Sequence, residues 1–387
     1  MSVDPGLASL SNQLVAAALV GYSLAFVGYA VRAAFGVRVP EAGQPTPVPD
    51  AGQPARRAVA LASVGAAAVG EAAVGAAAVG AAAVGAASGD GTAGIGDTAA
   101  GSPPRGGLPA GLSEDRPAGG TEDRSDRVRR FGVRAGRLAV VLTILAWLIH
   151  AGALVTRGLS VHRLPWGNMY EFTLALTWAA VGAFLLVLAR YRQQALGLLG
   201  VFVMIPVLLA LGLAITVLYV AAAPLVPALH SYWLAIHVTA AIIATGVFTV
   251  ATAATVMFLV ADHYASAERH GRPVRFAALA RLMPNAAVLD RLAYRAYALA
   301  FPIWTFAVVA GAIWAEYAWG HYWQWDPKET WAFITWVVYA GYLHARATAG
   351  WRGRKAAYVA LFGFATVLFN FFVVNIFISG MHSYAGI

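Results

Sequence analysis

The sequence predicts an all-α integral membrane protein, a polytopic bundle of about eight transmembrane helices. Its 387 residues are 60% hydrophobic and only 12% charged, a composition typical of membrane proteins. Apolar runs recur along the chain, and about 18 apolar residues are enough to cross a bilayer core. The predicted spans cover residues 13–31, 137–155, 171–189, 197–220, 232–261, 298–315, 331–348 and 357–379.

Three parts are predicted along the chain: a first transmembrane helix at 1–31, a low-complexity cytoplasmic linker at 32–136, and a membrane domain at 137–387. The first hydrophobic run lacks a basic segment before it and a clear cleavage site, so we interpret it as a retained helix. The linker repeats a five-residue unit between Gly65 and Gly85. Because a Gly at every fifth position weakens both helix and strand, we interpret this repeat as linker rather than as a further span.

The distribution of positive charge predicts the orientation of the bundle. If both termini lie outside, the cytoplasmic segments contain 24 of the 27 Lys and Arg, and the outer segments contain only Arg157, Arg163 and Lys328. This asymmetry follows the positive-inside rule. The net charge of +9 is therefore explained by topology and does not indicate a nucleic-acid-binding surface. The absence of Cys excludes disulfides, thiolate metal sites and a Cys nucleophile within the chain.

The segment 314–336 contains six of the chain's twelve Trp and lies on the predicted outer face. Two interpretations stay open, because aromatic rings gather at membrane interfaces and also form surfaces for large planar ligands. Within the segment, Asp326 and Glu329 have the spacing of a capping box, with Pro at the first helical position. Asn168 and Glu171 have the same spacing before the third span, where Trp166 is predicted to extend the aromatic surface.

Two His are predicted to lie at similar depth near the outer surface. His237 falls about 9 Å inside the fifth helix, and His382 follows the last span directly. Polar side chains at that depth are costly unless they are used, and His is a common axial ligand of haem iron. With Trp side chains as walls, the pattern favours a haem site, and the three outer cations are candidate partners of the haem propionates. The alternative for each His is a satisfied interfacial or bundle-facing residue.

A third His lies deeper in the predicted bundle. His344 is about 20 Å along the seventh helix from Trp331, toward the cytoplasm. It is either a residue that hydrogen-bonds a neighbouring helix or a second, deeper haem ligand or relay. His150, inside the second span, has no comparable support.

At this point the residues carry a family resemblance. The segment 319–331, WGHYWQWDPKETW, resembles the tryptophan-rich "WWD" segment of haem-handling proteins in cytochrome c maturation. Over about 137–387 the chain is similar to the CcsA/ResC-type membrane subunit of the two-subunit cytochrome c synthase. The other motifs that carry the resemblance are PWGNMYEF at 165–172, SYWLAIHV at 231–238, GYLHAR around His344 and GMHSY at 380–384. The repeat-rich linker departs from the compact form of this family.

The resemblance implies a function as well as a fold. It implies that His237 and His382 ligate haem on either side of the Trp-rich segment, and that His344 is the transmembrane His of a haem-conducting bundle. The implied cofactor-binding positions are His237, His382, His344, Trp319, Trp323, Trp325, Asp326 and Trp331. Haem b would be a substrate, presented to apocytochrome c so that its vinyl groups form thioethers with the thiols of a Cys-x-x-Cys-His motif.

The implied activity is that of a holocytochrome-c synthase of the haem lyase type, as one subunit of a two-component complex. The implied partners are a CcsB/ResB-type membrane subunit, apocytochrome c and thiol-reducing thioredoxin-like proteins, at the extracytoplasmic face of a bacterial plasma membrane. No residue is a convincing catalytic nucleophile, so the expected contribution of the chain is positioning. Two other functions stay open: a haem exporter without synthase activity, and a structural anchor whose Trp form an interfacial belt.

Overall fold

The computed structural model describes residues 3–36, 119–191, 197–224, 229–273 and 282–382. Within these ranges the chain is helical and contains no β-strand, which confirms the predicted all-α class. The main helices are α1 Pro5–Phe35, α2 Gly119–Ser160, α3 Met169–Arg190, α4 Gly197–Thr216, α5 Tyr232–Arg269, α6 Ala286–Trp319, α7 Pro327–Ala347 and α8 Arg354–Leu368. A π-helical turn, Phe369–Val374, continues α8 into the short helix α9, Asn375–Phe377.

In the described part of the chain, seven helices are long and apolar enough to cross a membrane, in agreement with a polytopic bundle. Helix α7 is not among them, because its first turn and its hydroxyl-bearing aromatic residues make it more polar. Its two ends nevertheless coincide with those of its neighbours. Asp326, just before α7, is bonded to His382 after α9, and Arg346 near its end pairs with Asp290 at the start of α6. Helix α7 therefore extends over the same depth of the bundle as α6.

Helices α1 and α2 form a tightly packed antiparallel pair. A Cβ atom at Gly21 would lie 2.8 Å from the Cβ of Ala146, and a Cβ atom at Gly28 would lie 2.8 Å from the Cβ of Ala139. The spacing of seven residues on both helices keeps these small side chains on one seam. Small residues at such a seam let two helix backbones approach closely, which stabilises helix pairs in a membrane.

The predicted linker at 32–136 has helical ends, because α1 continues to Phe35 and α2 begins at Gly119. Residues 37–118 lie outside the described residues, so the interpretation of the repeat stays a prediction. The antiparallel pair places the start of α1 beside the end of α2, where Asp4 N–H donates to Ser160 O at 2.9 Å. The start of α1 therefore lies at the end of the bundle where α2, α6 and α9 end, which we call the Trp-rich end.

The helix starts predicted from capping residues are confirmed. Asp326 accepts from the backbone N–H of Lys328, and Glu329 completes the capping box of α7. Asn168 accepts from Glu171 N–H at 2.9 Å before α3. Such side-chain acceptors satisfy the free N–H groups of a first helical turn, and they fix where each helix begins at the Trp-rich end.

Candidate functional site

A cavity opens at the Trp-rich end between α3, α5, α6, α7 and the end of α8. The void between its walls measures about 1320 Å³, including its open mouth. Cofactor pockets typically combine apolar and aromatic walls with a few polar groups. The aromatic lining residues are Trp166, Phe172, Trp304, Trp314, Trp319, Trp323 and Phe371. The polar lining residues are Asn168, His237, Thr245, Lys328, Glu329, Asn370 and His382.

His237 reaches the cavity from the second turn of α5. Its Nδ1 lies 2.7 Å from the backbone oxygen of Ala307 on α6. Because a carbonyl oxygen only accepts, Nδ1 carries the proton and the Nε2 of the neutral ring keeps its lone pair. This approach depends on Gly311, where a Cβ atom would lie 2.7 Å from both Cε1 and Nδ1 of the imidazole. Trp314 lies parallel to the same ring, with 6.3 Å between ring centroids.

His382 reaches the cavity from the segment after α9 and is held by a carboxylate. Its Nδ1 lies 2.8 Å from Oδ2 of Asp326, and Met381 N–H donates to Oδ1 of the same carboxylate at 2.7 Å. Asp326 therefore orients His382 in addition to capping α7, a second role that its capping spacing does not predict.

The electrostatics of this pair favour a neutral imidazole beside an ionised carboxylate. Burial lowers the pKa of His382, although the hydrogen bond to Asp326 opposes that shift. Burial alone would raise the pKa of Asp326. The hydrogen bonds from His382 and from two backbone N–H groups outweigh that effect and hold the pKa of Asp326 below its usual value. At neutral pH the ring therefore donates from Nδ1 and keeps a lone pair on Nε2.

The structure brings the two predicted His to one cavity. The Trp314 ring contacts both imidazoles, at 6.3 Å from His237 and 5.8 Å from His382, so the two imidazole centroids lie no more than about 12 Å apart. Trp319 packs edge-on against His382 with 4.9 Å between ring centroids. Each imidazole has its Nδ1 bound to a protein acceptor, and a metal-ligating His is usually oriented by such a bond from its other ring nitrogen.

Of the five residues in the Trp-rich segment that are predicted to bind a cofactor, two line the cavity, one acts through His382, and two lie outside the lining. Trp319 and Trp323 line the cavity, whereas Asp326 acts through His382. Trp325 points to the exterior with 65% of its surface exposed, and its backbone has a φ of 60°, a strained value for a non-Gly residue. Trp331 packs against Phe369 with 4.0 Å between ring centroids and is not part of the cavity lining.

Two further Trp line the cavity from outside this segment. Trp166, predicted to extend the aromatic surface, does so. Trp304 forms the deeper wall, where its indole N–H donates to Ala332 O at 3.3 Å. Trp304 is not among the predicted site residues, although Trp304, Gly311 and Trp314 recur at helical spacing and so lie on one face of α6.

Two of the three outer cations are not placed to be propionate partners at this cavity. Arg157 is fully buried, and its Nε donates to Glu171 Oε1 at 2.9 Å. Arg163 donates to Glu171 Oε2 at 2.6 Å. Neither Arg lines the cavity, because Glu171 binds both and fixes the connection between α2 and α3. Lys328 does line the cavity, and its Nζ donates to the side-chain oxygen of Asn375.

His344 is not brought to this cavity. Its side chain is exposed on α7, near the end of the bundle opposite the Trp-rich end. A second haem position at His344 therefore stays a prediction, and the described residues of this chain do not enclose it.

Comparison with known proteins places the chain in a family. Residues 166–382 match the family model described as Cytochrome C assembly protein. The chain is 36% identical over 255 residues to the cytochrome c biogenesis protein CcsA of Guillardia theta, which covers 62% of this chain and 83% of that protein. It is 34% identical over 278 residues to CcsA of Gloeothece citriformis (62% and 85%). It is 32% identical over 285 residues to CcsA of Gloeobacter violaceus (62% and 84%).

The matched region contains the cavity-lining residues from Trp166 to His382. Together with the helical membrane bundle, these similarities support a role in cytochrome c maturation. The chain is a multi-pass membrane protein of CcsA type and belongs to the Cytochrome C assembly protein family.

Proposed function

We propose that this chain binds haem between His237 and His382 and presents it for covalent attachment to apocytochrome c. The observation that carries the proposal is the pair of imidazoles at one Trp-lined cavity, each with Nδ1 bound to a fixed acceptor. Two imidazoles are a small ligand set for a bare metal ion, whereas haem iron needs only two axial ligands from the protein.

The other lining residues fit the rest of a haem molecule. The aromatic walls match the porphyrin faces and edges. Lys328, in the first turn of α7, is the lining cation that pairs with a propionate. Glu171 already binds Arg157 and Arg163, so this proposal assigns those two residues to structure.

The chemistry is addition of two thiol S–H bonds across the two haem vinyl groups, which forms two thioethers without net oxidation. Both thiols come from the Cys-x-x-Cys-His motif of the apocytochrome, since this chain has no Cys. The residues of this chain hold and orient the haem. Asp326 fixes His382, Ala307 O fixes His237, and the Trp side chains exclude water. The exposed Trp325 packs against the lining residue Trp323, with 5.7 Å between ring centroids, and from there it contacts the incoming apocytochrome.

We further propose the setting in which this reaction occurs. The charge asymmetry supports a Trp-rich end at the extracytoplasmic face of a bacterial plasma membrane. A CcsB/ResB-type subunit completes the synthase, and thioredoxin-like proteins keep the apocytochrome thiols reduced. The exposure of His344 on the flank of α7 supports a contact with that partner subunit.

The first experiment is the absorption spectrum of the complex purified with its partner subunit. Wild-type complex should show a bis-His haem spectrum. The His237→Ala and His382→Ala variants should lose or alter it, and added imidazole should restore it. His263→Ala, an exposed His at the opposite end of the bundle, is the matched control and should resemble wild type. An unchanged spectrum in both site variants would remove the assigned ligands.

A second measurement separates synthase from exporter. Reconstituted complex should convert a Cys-x-x-Cys-His apocytochrome to product whose haem stays attached in denaturing electrophoresis. Complex that moves haem across vesicles without forming such product would instead be an exporter. Complex that contains no haem at all would leave the Trp cluster as an interfacial belt.

A further inference from the structure

A second cavity lies on the flank of the bundle between α2, α3 and α5. Its void measures about 1750 Å³, including its open side, and shares no lining residue with the His237–His382 cavity. Along α3 its lining runs from Trp178 to Tyr191, which corresponds to about 20 Å of helix. That length is slightly greater than the hydrocarbon depth of one bilayer leaflet, which is about 15 Å. The cavity is therefore a groove that extends from mid-bundle toward the end opposite the Trp-rich end.

The walls of this groove are apolar and shaped by aliphatic side chains. Trp147 and Trp178 stack at its inner end, with 4.9 Å between ring centroids and 8° between ring planes. Beyond this pair, Gly182 and small Ala side chains leave space between α2 and α3. The other lining residues are Val140, Ile144, Leu185, Leu186, Leu188, Ile243 and Val247. Within the described part of the chain, the lining contains no His, Met, Asp or Glu, and its aliphatic walls suit a flexible hydrocarbon chain.

The outer end of the groove is positively charged. Arg32, at the end of α1, lines it and lies between Gly136 of α2 and Gly197 of α4, both of which lack the side chain that would displace it. Among the described residues no carboxylate pairs with Arg32. Tyr191 lines the same end, and its hydroxyl accepts from Arg295 Nη1 at 3.2 Å. A long apolar groove that ends at the guanidinium group of Arg32 is complementary to an anionic amphiphile.

We propose that this groove binds one anionic phospholipid, with its phosphate at Arg32 and one acyl chain against the Trp147–Trp178 pair. A phosphate accepts charge-assisted hydrogen bonds from a guanidinium group, and basic pockets between transmembrane helices bind lipid head groups in this way. The start of α4 at Gly197 adds the partial positive charge of a helix N-terminus beside the same guanidinium. The proposal is independent of haem binding at the Trp-rich end.

Native mass spectrometry of the detergent-purified complex tests the proposal with two lipids of identical acyl chains, phosphatidylglycerol and phosphatidylcholine. Wild type should retain one phosphatidylglycerol about tenfold more strongly than phosphatidylcholine. Arg32→Gln should bring that ratio close to one, and Arg32→Lys should keep most of the preference. Ala183→Phe, which fills the groove, should weaken retention of both lipids.

Arg137→Gln is the matched control, because Arg137 is exposed on α2 and does not line the groove. It should retain phosphatidylglycerol as wild type does. Equal retention of the two lipids by wild type would overturn the proposal, as would equal losses in Arg32→Gln and Arg137→Gln. Haemin should not displace the bound phosphatidylglycerol. Stoichiometric displacement that Ala183→Phe abolishes would make haem the occupant and would also refute the lipid assignment.

Discussion

The substitution Asp326→Asn tests how the chain holds His382. The carboxylate accepts hydrogen bonds on both oxygens, from Met381 N–H at 2.7 Å on Oδ1, and from His382 Nδ1–H at 2.8 Å and Lys328 N–H at 3.1 Å on Oδ2. Asn has nearly the same shape but only one acceptor oxygen. Its amide NH₂ must therefore face a donor, either Met381 N–H or His382 Nδ1–H.

The expected free-energy cost of Asp326→Asn follows from the loss of one acceptor oxygen. Leaving one buried donor unsatisfied costs about 1–3 kcal/mol. If the NH₂ faces His382, the imidazole also changes tautomer, and its Nε2 then carries a proton in place of the lone pair. Loss of the hydrogen-bond partner that orients a ligating His typically lowers metal affinity about 10–100-fold. We therefore expect Asp326→Asn to weaken haem binding by that factor and to reduce formation of c-type cytochromes, whereas excess imidazole should restore the spectrum.

Asp4→Asn is a control with the same chemistry. Asp4 caps α1, is followed by Pro at the first helical position, and accepts from the backbone N–H groups of Gly6 and Leu7. Asp4 does not line the cavity, so this substitution tests only the stability of the helix cap. Haem titration of both variants by absorption gives the two affinities. Equal affinities for Asp326→Asn and wild type, or equal losses in the two variants, would refute the proposed role of Asp326 in orienting His382.

Three further outcomes are expected. Gly311→Ala should displace His237 and weaken haem binding in a spectral titration, because the added Cβ would lie 2.7 Å from the imidazole. Gly341→Ala, where the added Cβ has open space, should bind haem as wild type does. Equal haem affinities in the two variants would contradict this prediction. Glu171→Gln should lower the free energy of unfolding, measured by detergent denaturation, by about 3–5 kcal/mol, because it leaves fully buried Arg157 without its ion pair; a loss below about 1 kcal/mol would contradict the buried pair. Burial lowers the pKa of His382, so its imidazole should stay neutral until the pH is below about 6.5, the usual pKa of a His. The haem absorption that depends on His382 should therefore persist at about pH 6.5 and disappear only at lower pH. Loss of that absorption at or above about pH 6.5 would contradict this expectation.

The His positions show how far local sequence reasoning reaches. Depth along a helix follows from residue counts at 1.5 Å per residue, so His237 and His382 were correctly expected at one end of the bundle. The same count predicts His344 about 20 Å along the seventh helix, and it does lie in the last turn of α7, but the count does not show that its side chain is exposed. Helical periodicity gives the relative direction of side chains on one helix, whereas which face meets a neighbour is decided by packing between helices.

The charged residues at the Trp-rich end show the same limit. Counting Lys and Arg predicts which segments share a face, and on that basis Arg157, Arg163 and Lys328 were grouped together. The fold separates them, because Glu171 binds both Arg and leaves only Lys328 at the cavity. A charge is assigned to its partner by distances of a few ångströms across helices, and no spacing within the sequence encodes those distances.

By itself, the sequence determined the membrane class, the helix starts and the Trp-rich end of the chain. These properties depend on composition, on local capping and on runs of apolar residues, which are all features of contiguous segments. Only the tertiary structure decided that Asp326 holds His382, that Gly311 admits His237, and that Arg32 lines an apolar groove between α2, α3 and α5. Each of these contacts joins residues from different helices. Their geometry exists only after the helices have packed against one another.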